Sequence, residues 1–139
     1  MRLLANREHS RLELCRKLQT RFADSTEIDL VLNNLQERGY LSDERFVEAY
    51  IEMRKRKGYG PLRIQAELRE RGIGLDLISR YLEEADSDSE WYRLMQGVAA
   101  AKFGISPDFG HKTQQKAARF LEYRGFPTSM IRRYLWDEE

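Results

Sequence analysis

Apolar residues recur at helical spacing along the whole of this 139-residue chain, and run after run ends at a glycine followed by an apolar residue. Phe46, Ala49, Tyr50 and Met53 stand at i, i+3, i+4 and i+7, so they share one face of a helix. The stops are Arg38-Gly39-Tyr40, Gly72-Ile73, Gly104-Ile105 and Gly125-Phe126. A left-handed glycine cap with an apolar residue just beyond is how many helices end. No stretch alternates apolar and polar residues, so nothing supports a strand. The fold class is therefore all-α.

Nine helical runs can be laid out in order. A short first one, Met1 to about Arg7, carries Leu3 and Leu4. Ser10 and Glu13 form a capping box ahead of Leu14 and Leu18. The polar link Ala23 to Thr26 leads to a stripe of Ile28, Val31, Leu32 and Leu35. Ser42 caps the fourth run, whose inward face is Phe46, Ala49, Tyr50 and Met53. Pro61 opens the fifth, with Ile64 and Leu68 inward, and the sixth carries Leu75, Ile78, Tyr81 and Leu82. The acidic segment Glu83 to Asp88 reads as a joint. The seventh run holds Trp91, Leu94, Met95 and Val98, and Gly97 inside it implies that another backbone packs close. Ala117, Phe120 and Leu121 face in from the eighth. Thr128 caps the ninth, with Met130, Ile131, Tyr134 and Leu135 inward.

The runs repeat in threes. Leu77-Ile78-Ser79-Arg80-Tyr81-Leu82 recurs as Met130-Ile131-Arg132-Arg133-Tyr134-Leu135, and Leu30 to Leu35 fits the same frame. Leu18, Leu68 and Leu121 occupy matching places in the middle helices. One three-helix unit cannot bury both of its sides, so stacked units share a continuous seam. The predicted architecture is three tandem three-helix repeats, residues 1–41, 42–86 and 87–139, forming an elongated, curved rod.

Composition narrows the function. Charged residues make up 34% and hydrophobic residues 41%, a polar balance for a deep-cored enzyme, and the net charge is +1. Cys15 is the only cysteine, so no internal disulfide forms, and its place beside Leu14 and Leu18 makes it a small packed residue. There is no apolar run of membrane-spanning length and no secretory signal, so a cytoplasmic protein without membrane contact is expected. His9 and His111 have no cysteine or histidine partners at metal-ligand spacing. Gly72-x-Gly74 does not follow a strand, as a phosphate loop would. Arg63, Glu67 and Arg71, like Asp76, Arg80 and Glu84, stand at i, i+4 steps and read as a solvated ion-pair face. No catalytic residue, metal or cofactor is expected. The chain does not read as an enzyme.

One stretch carries more charge than a solvated face requires. Arg54, Lys55, Arg56 and Lys57 end the fourth helix, Gly58-Tyr59-Gly60 breaks the chain, and Pro61 starts the next helix ahead of Arg63. Successive helical residues turn by about 100°, so four cations cannot share one face. Arg54, Lys55 and Arg56 are expected to be mostly solvated, with the stem of Lys57 along the apolar line of Phe46, Tyr50 and Met53. Cations at a helix C-terminus also suit the helix dipole, and Tyr59 has a plain role as the apolar residue after a glycine cap. A second basic stripe, Lys112, Lys116 and Arg119, lies on the eighth helix.

Four stretches in order resemble the RecX family, over essentially the whole chain. Ser10 to Leu18 is similar to the family's Ser-x-x-Glu-Leu-x-x-Lys-Leu, and Gly39-Tyr40-Leu41-Ser42-Asp43-Glu44-Arg45-Phe46 to its Gly-Tyr-Leu segment. Lys57 to Leu68 is similar to its central corner, and Phe120 to Phe126 to its closing helix. The first helix reads shorter than the family's. The resemblance implies three tandem three-helix repeats and a monomeric regulator of recombination, DNA repair and the SOS response. Such a protein binds the RecA–DNA filament and inhibits its recombinase and ATPase activities. It also implies that Arg54, Lys55, Arg56, Lys57, Tyr59, Arg63, Lys112, Lys116 and Arg119 contact filament or DNA, single- or double-stranded, around a structural corner of Gly58, Gly60 and Pro61. The alternatives are a stand-alone helical nucleic-acid-binding module and a helical adaptor with no nucleic acid nearby.

Overall fold

The computed structural model describes residues 7–85, 88–104 and 110–136, and among them there are eight helices and no strand. These are α1 (Arg11–Gln19), α2 (Ser25–Glu37), α3 (Asp43–Arg56), α4 (Pro61–Glu70), α5 (Leu75–Ala85), α6 (Asp88–Phe103), α7 (His111–Arg124) and α8 (Thr128–Trp136). The expected helix at Met1 to Arg7 lies almost wholly outside the described residues. So do the middle of the acidic joint, Ile105 of the third stop and residues 137–139. Contacts gather the chain into two compact units. One comprises the chain through Tyr50 with Glu67–Tyr81, and the other Ile51–Ala66 with the chain from Leu82 onward.

In the first unit the capping box forms as its sequence predicts. The Ser10 hydroxyl accepts from the Glu13 N–H at 3.1 Å, and the Glu13 carboxylate accepts from the Ser10 N–H at 3.2 Å. The same hydroxyl donates to the Arg71 carbonyl at 2.7 Å, so one buried serine starts α1 and ties it to the end of α4. Asp43, at the start of α3, accepts from the Arg11 N–H at 2.8 Å, and Ser42 caps α3 by accepting from the Arg45 N–H at 3.2 Å. Leu14, Leu18, Ile28, Leu32, Leu35 and Leu41 form the core of α1 and α2, with Cys15 partly buried against it. Arg71 lies over the Tyr50 ring at 4.8 Å while the Tyr50 hydroxyl donates to Glu67 at 2.9 Å.

Several expected faces are rotated. Val31 and Leu75 are exposed, and α2 presents Ile28, Leu32 and Leu35 to the core instead. The first copy of the repeat therefore turns a different edge inward from the copies that bury Ile78 and Ile131. Along α3 the buried residues are Phe46, Val47, Tyr50 and Ile51, while Ala49 is exposed and Met53 half-buried. A β-branched residue beside each aromatic widens that stripe to one side, and the narrow i, i+3, i+4 template missed it. After Gly39 the buried apolar residue is Leu41, not Tyr40. Leu68 and Leu121 are both fully buried, as the repeat requires.

His9 is isolated in the sequence and packed in the structure. It is 1% exposed, with Nδ1 at 3.1 Å from the Arg7 carbonyl and Nε2 at 3.0 Å from Lys17 Nζ. The ammonium can only donate, so Nε2 accepts and Nδ1–H donates, an arrangement that needs a neutral ring. Burial, and then the Arg7 charge, hold its pKa below the ordinary histidine value, with Lys17 adding to the effect and Glu13 opposing it.

Two expectations follow. Leu68→Ala and Leu121→Ala each lower unfolding free energy by about 2–5 kcal/mol in chemical denaturation, whereas exposed Val31→Ala stays within about 0.5 kcal/mol. Equal losses at all three would show that α2 packs through Val31. Because the folded state depresses the His9 pKa, its contribution is complete above the unfolded value of about 6.5 and is lost as pH falls through the lowered folded value. His9→Asn should flatten the fall in melting temperature on acidification below about pH 6.5, and an unchanged profile would count against a neutral buried ring.

Candidate nucleic-acid interface

The corner lies in the second unit and is held by helix ends that supply one another's missing partners. A helix leaves its first N–H groups and its last carbonyls unsatisfied. Here the Gly60 N–H donates to the Arg124 carbonyl at 2.7 Å and the Leu62 N–H to the Gly125 carbonyl at 3.0 Å. Pro61, between them, has no N–H to satisfy and opens α4 as its sequence predicts. In return, the Arg124 guanidinium donates to the Lys57 carbonyl at 2.7 Å and to the Gly58 carbonyl at 3.3 Å, closing the end of α3. Arg63 donates to the Tyr123 carbonyl at 3.2 Å, at the end of α7.

So close an approach of backbones leaves no room for side chains. Gly125 has φ +96°, and a Cβ there would stand 2.3 Å from the Arg63 Cβ. A Cβ on Gly60 would stand 2.6 Å from the Gly125 carbonyl oxygen. Gly58 is buried against Val98 and the Arg124 guanidinium.

The ring of Tyr59 gathers the arginines. Arg54 lies 3.8 Å from its centroid, Arg63 4.6 Å and Arg124 4.7 Å. Arg63 also meets the Tyr123 ring at 4.7 Å, Arg124 the Phe120 ring at 4.9 Å, and Lys102 the Phe120 ring at 4.4 Å. Tyr123, Arg63, Tyr59, Arg124, Phe120 and Lys102 thus form a continuous alternation of ring and cation. Ring faces are negative, so each ring attracts the cations beside it and offsets part of their mutual repulsion.

Beside this ladder is a depression of about 780 Å³. It is lined by the apolar Leu94, Val98, Ala101 and Phe120 together with Lys55, Arg56, Lys57, Arg93, Lys102 and Arg124. No carboxylate appears among its described lining residues. Gly97 lines it as well and meets nothing within 4 Å, so the expected close backbone is absent and the glycine opens space instead.

The basic run divides in a way its sequence does not predict. Lys55 is only 20% exposed at its side chain and lies 5.6 Å from the Trp91 ring, and Arg54 is packed on Tyr59. These two are not mostly solvated, because aromatic faces stand beside the end of α3. Arg56 is exposed as expected, and Lys57, expected to have its stem packed, is exposed too. Lys112, Lys116 and Arg119 are exposed on α7, and none of them lines the depression. Arg93, Lys102 and Arg124, which join the site, went unnoticed as single cations dispersed over α6 and α7. Among the described residues no group of His, Cys, Asp and Glu is placed to hold a metal ion, and no helix is long and apolar enough to cross a membrane.

Gly125→Ala should cost at least about 1–3 kcal/mol in thermal or chemical unfolding, from left-handed strain and collision with Arg63 together. Gly97→Ala, on an open helical surface, should gain up to roughly 1 kcal/mol. A neutral Gly125→Ala would mean that the corner is looser than its hydrogen bonds imply.

Residues 42–82 match the model of the second three-helix domain of RecX, and residues 88–135 that of the third. The chain is 42% identical over 135 residues to the regulatory protein RecX of Pseudomonas putida GB-1, covering 97% of this chain and 85% of that one. It is 40% identical over 131 residues to the protein of the same name from Legionella pneumophila, covering 94% and 86%. The fold is similar to the crystal structure of RecX from Lactobacillus salivarius, with a TM-score of 0.81 at 21% identity over 98% of this chain and 89% of that one. A second RecX crystal structure gives 0.80 at 20% identity, over 98% and 67%. With its corner, its closing helix and nearly its whole length matched, the chain belongs to the RecX family of regulatory proteins.

Proposed function

We propose that this protein binds the RecA–DNA filament in the cytoplasm and inhibits its recombinase and ATPase activities. The observation that carries this reading is the cation-lined depression beside the Tyr59 corner, on a chain of the RecX family. A filament presents phosphates and protein carboxylates along its length, and six cations lining one depression suit such a surface. Distributed contacts of this kind need no catalytic residue. Three-helix units at residues 1–41, 42–86 and 87–139 would let successive repeats meet successive protomers of the filament.

Of the cations at the end of α3 and just beyond it, Arg56 and Lys57 bear on this reading, since Arg54 and Lys55 also hold the corner together. Arg56→Ala with Lys57→Ala should leave the melting temperature within a degree or two, because exposed substitutions change stability by at most about 0.5 kcal/mol. The same pair should weaken co-sedimentation with RecA–single-stranded DNA filaments and relieve ATPase inhibition severalfold. Unchanged inhibition would move the filament surface elsewhere, with Lys112, Lys116 and Arg119 next to be replaced. A stand-alone nucleic-acid module would instead bind DNA as well as it binds filaments.

A further inference from the structure

We infer that the exposed face of α2 docks a second copy of this chain, the two α2 helices lying antiparallel so that Glu27 of each meets Arg38 of the other. This goes beyond the filament reading and rests on no part of it.

The starting point is an apolar face wider than its own unit uses. α2 turns Ile28, Leu32 and Leu35 into the core, yet Leu30 is 64% exposed and Val31 44%. Phe22, just past the end of α1, is 51% exposed. These three side chains, with Glu27 and the buried Leu18 and Ile28, line a groove of about 420 Å³. A contiguous apolar face of this kind marks a docking surface. No cation is among its described lining residues, so the groove suits an apolar protein surface and not phosphates.

Charge names the occupant. Glu27, Val31, Asn34 and Arg38 stand at i, i+4, i+7 and i+11, so they form one stripe along α2. Arg38 caps the helix with right-handed angles (φ −82°, ψ −3°), which keeps it on that line. All four are exposed, and the stripe runs from an acid to a base about 16 Å away. Neither end forms an ion pair among the described residues. Glu27 precedes Val31 by four positions, and Arg38 follows Asn34 by four. A half-turn about the point between Val31 and Asn34 therefore carries Glu27 onto the place of Arg38, and the reverse. A two-fold contact needs this self-complementarity, because each patch meets its own image. The charge order that this face asks of its occupant is the one it carries itself. Two copies would close two ion pairs around the Leu30, Val31 and Phe22 side chains of both.

The test is sedimentation equilibrium of the full chain over a concentration series reaching about 1 mM. Wild type should show a reversible monomer–dimer equilibrium, which Val31→Lys abolishes. Glu27→Arg and Arg38→Glu should each weaken it on the order of tenfold, because both ion pairs become repulsive contacts. The double variant should recover dimers. So should an equimolar mixture of the two single variants, in which every acid again meets a base. Glu27, Val31 and Arg38 are exposed, so melting temperatures taken at dilution, where monomer dominates, should stay close to wild type and show each variant folded. Dimers that survive Val31→Lys would place the contact on another face and overturn the inference, as would single variants that the mixture does not rescue. A wild type that stays monomeric throughout would overturn it as well and leave the groove to another protein. If Leu3→Ser with Leu4→Ser then lowered the melting temperature of that monomer, the groove would belong to the chain's own first residues instead.

Discussion

The second unit depends on backbone groups that helices cannot satisfy by themselves. Gly60 and Leu62 offer N–H groups at the start of α4, and Arg124 and Gly125 offer carbonyls at the end of α7. Placed together, the two ends resolve each other's deficit, and only glycines at positions 60 and 125 let the backbones come that near. Buried backbone groups left unpaired would be costly, so this meeting is strongly specified. The rest of the corner follows. Once α7 ends there, Arg124 reaches the open carbonyls of α3, and Arg63 reaches the carbonyl of Tyr123.

That arrangement puts positive charges closer together than they would choose to be. Three guanidiniums within 5 Å of the Tyr59 centroid are tolerated because each is attracted to the ring's negative π-system and because Arg63 and Arg124 also donate to carbonyls. The corner is a structural device and a charged surface at once, which divides its cations into two kinds. Arg54, Lys55, Arg63 and Arg124 are engaged with rings or carbonyls. Arg56, Lys57 and Arg93 are exposed, and their charge faces solvent or a ligand.

The first unit uses the same economy with different residues. Ser10 is the cap of α1 and the partner of the last carbonyl region of α4, so one hydroxyl serves a local and a distant purpose. Glu13 completes the box while bridging to Arg7 at 3.2 Å and Arg71 at 3.6 Å. His9 is packed beneath this network as a neutral ring, a role no spacing rule would have assigned to a lone histidine.

Local chemistry was legible in the sequence because it depends on neighbours along the chain. The capping box at Ser10 and Glu13, Ser42 ahead of α3, Pro61 at the head of α4 and the stops at Gly72-Ile73 and Gly125-Phe126 all appear where the residues predict them. The buried leucines at 68 and 121 were equally plain from periodicity. Periodicity could not say which edge of an amphipathic helix faces in when apolar residues flank the stripe, so Val31, Ala49 and Leu75 were misplaced and Val47 and Ile51 overlooked. Nor could it gather the site. Arg93, Lys102 and Arg124 are ordinary cations in sequence, and they join Arg56 and Lys57 only because the end of α7 closes the α3–α4 corner beside α6. The purpose of Gly97, the packing of Lys55 on Trp91 and the exposure of Lys57 were decided there too. Each depends on residues dozens of positions away, whose nearness is set by packing and by no pattern along the chain.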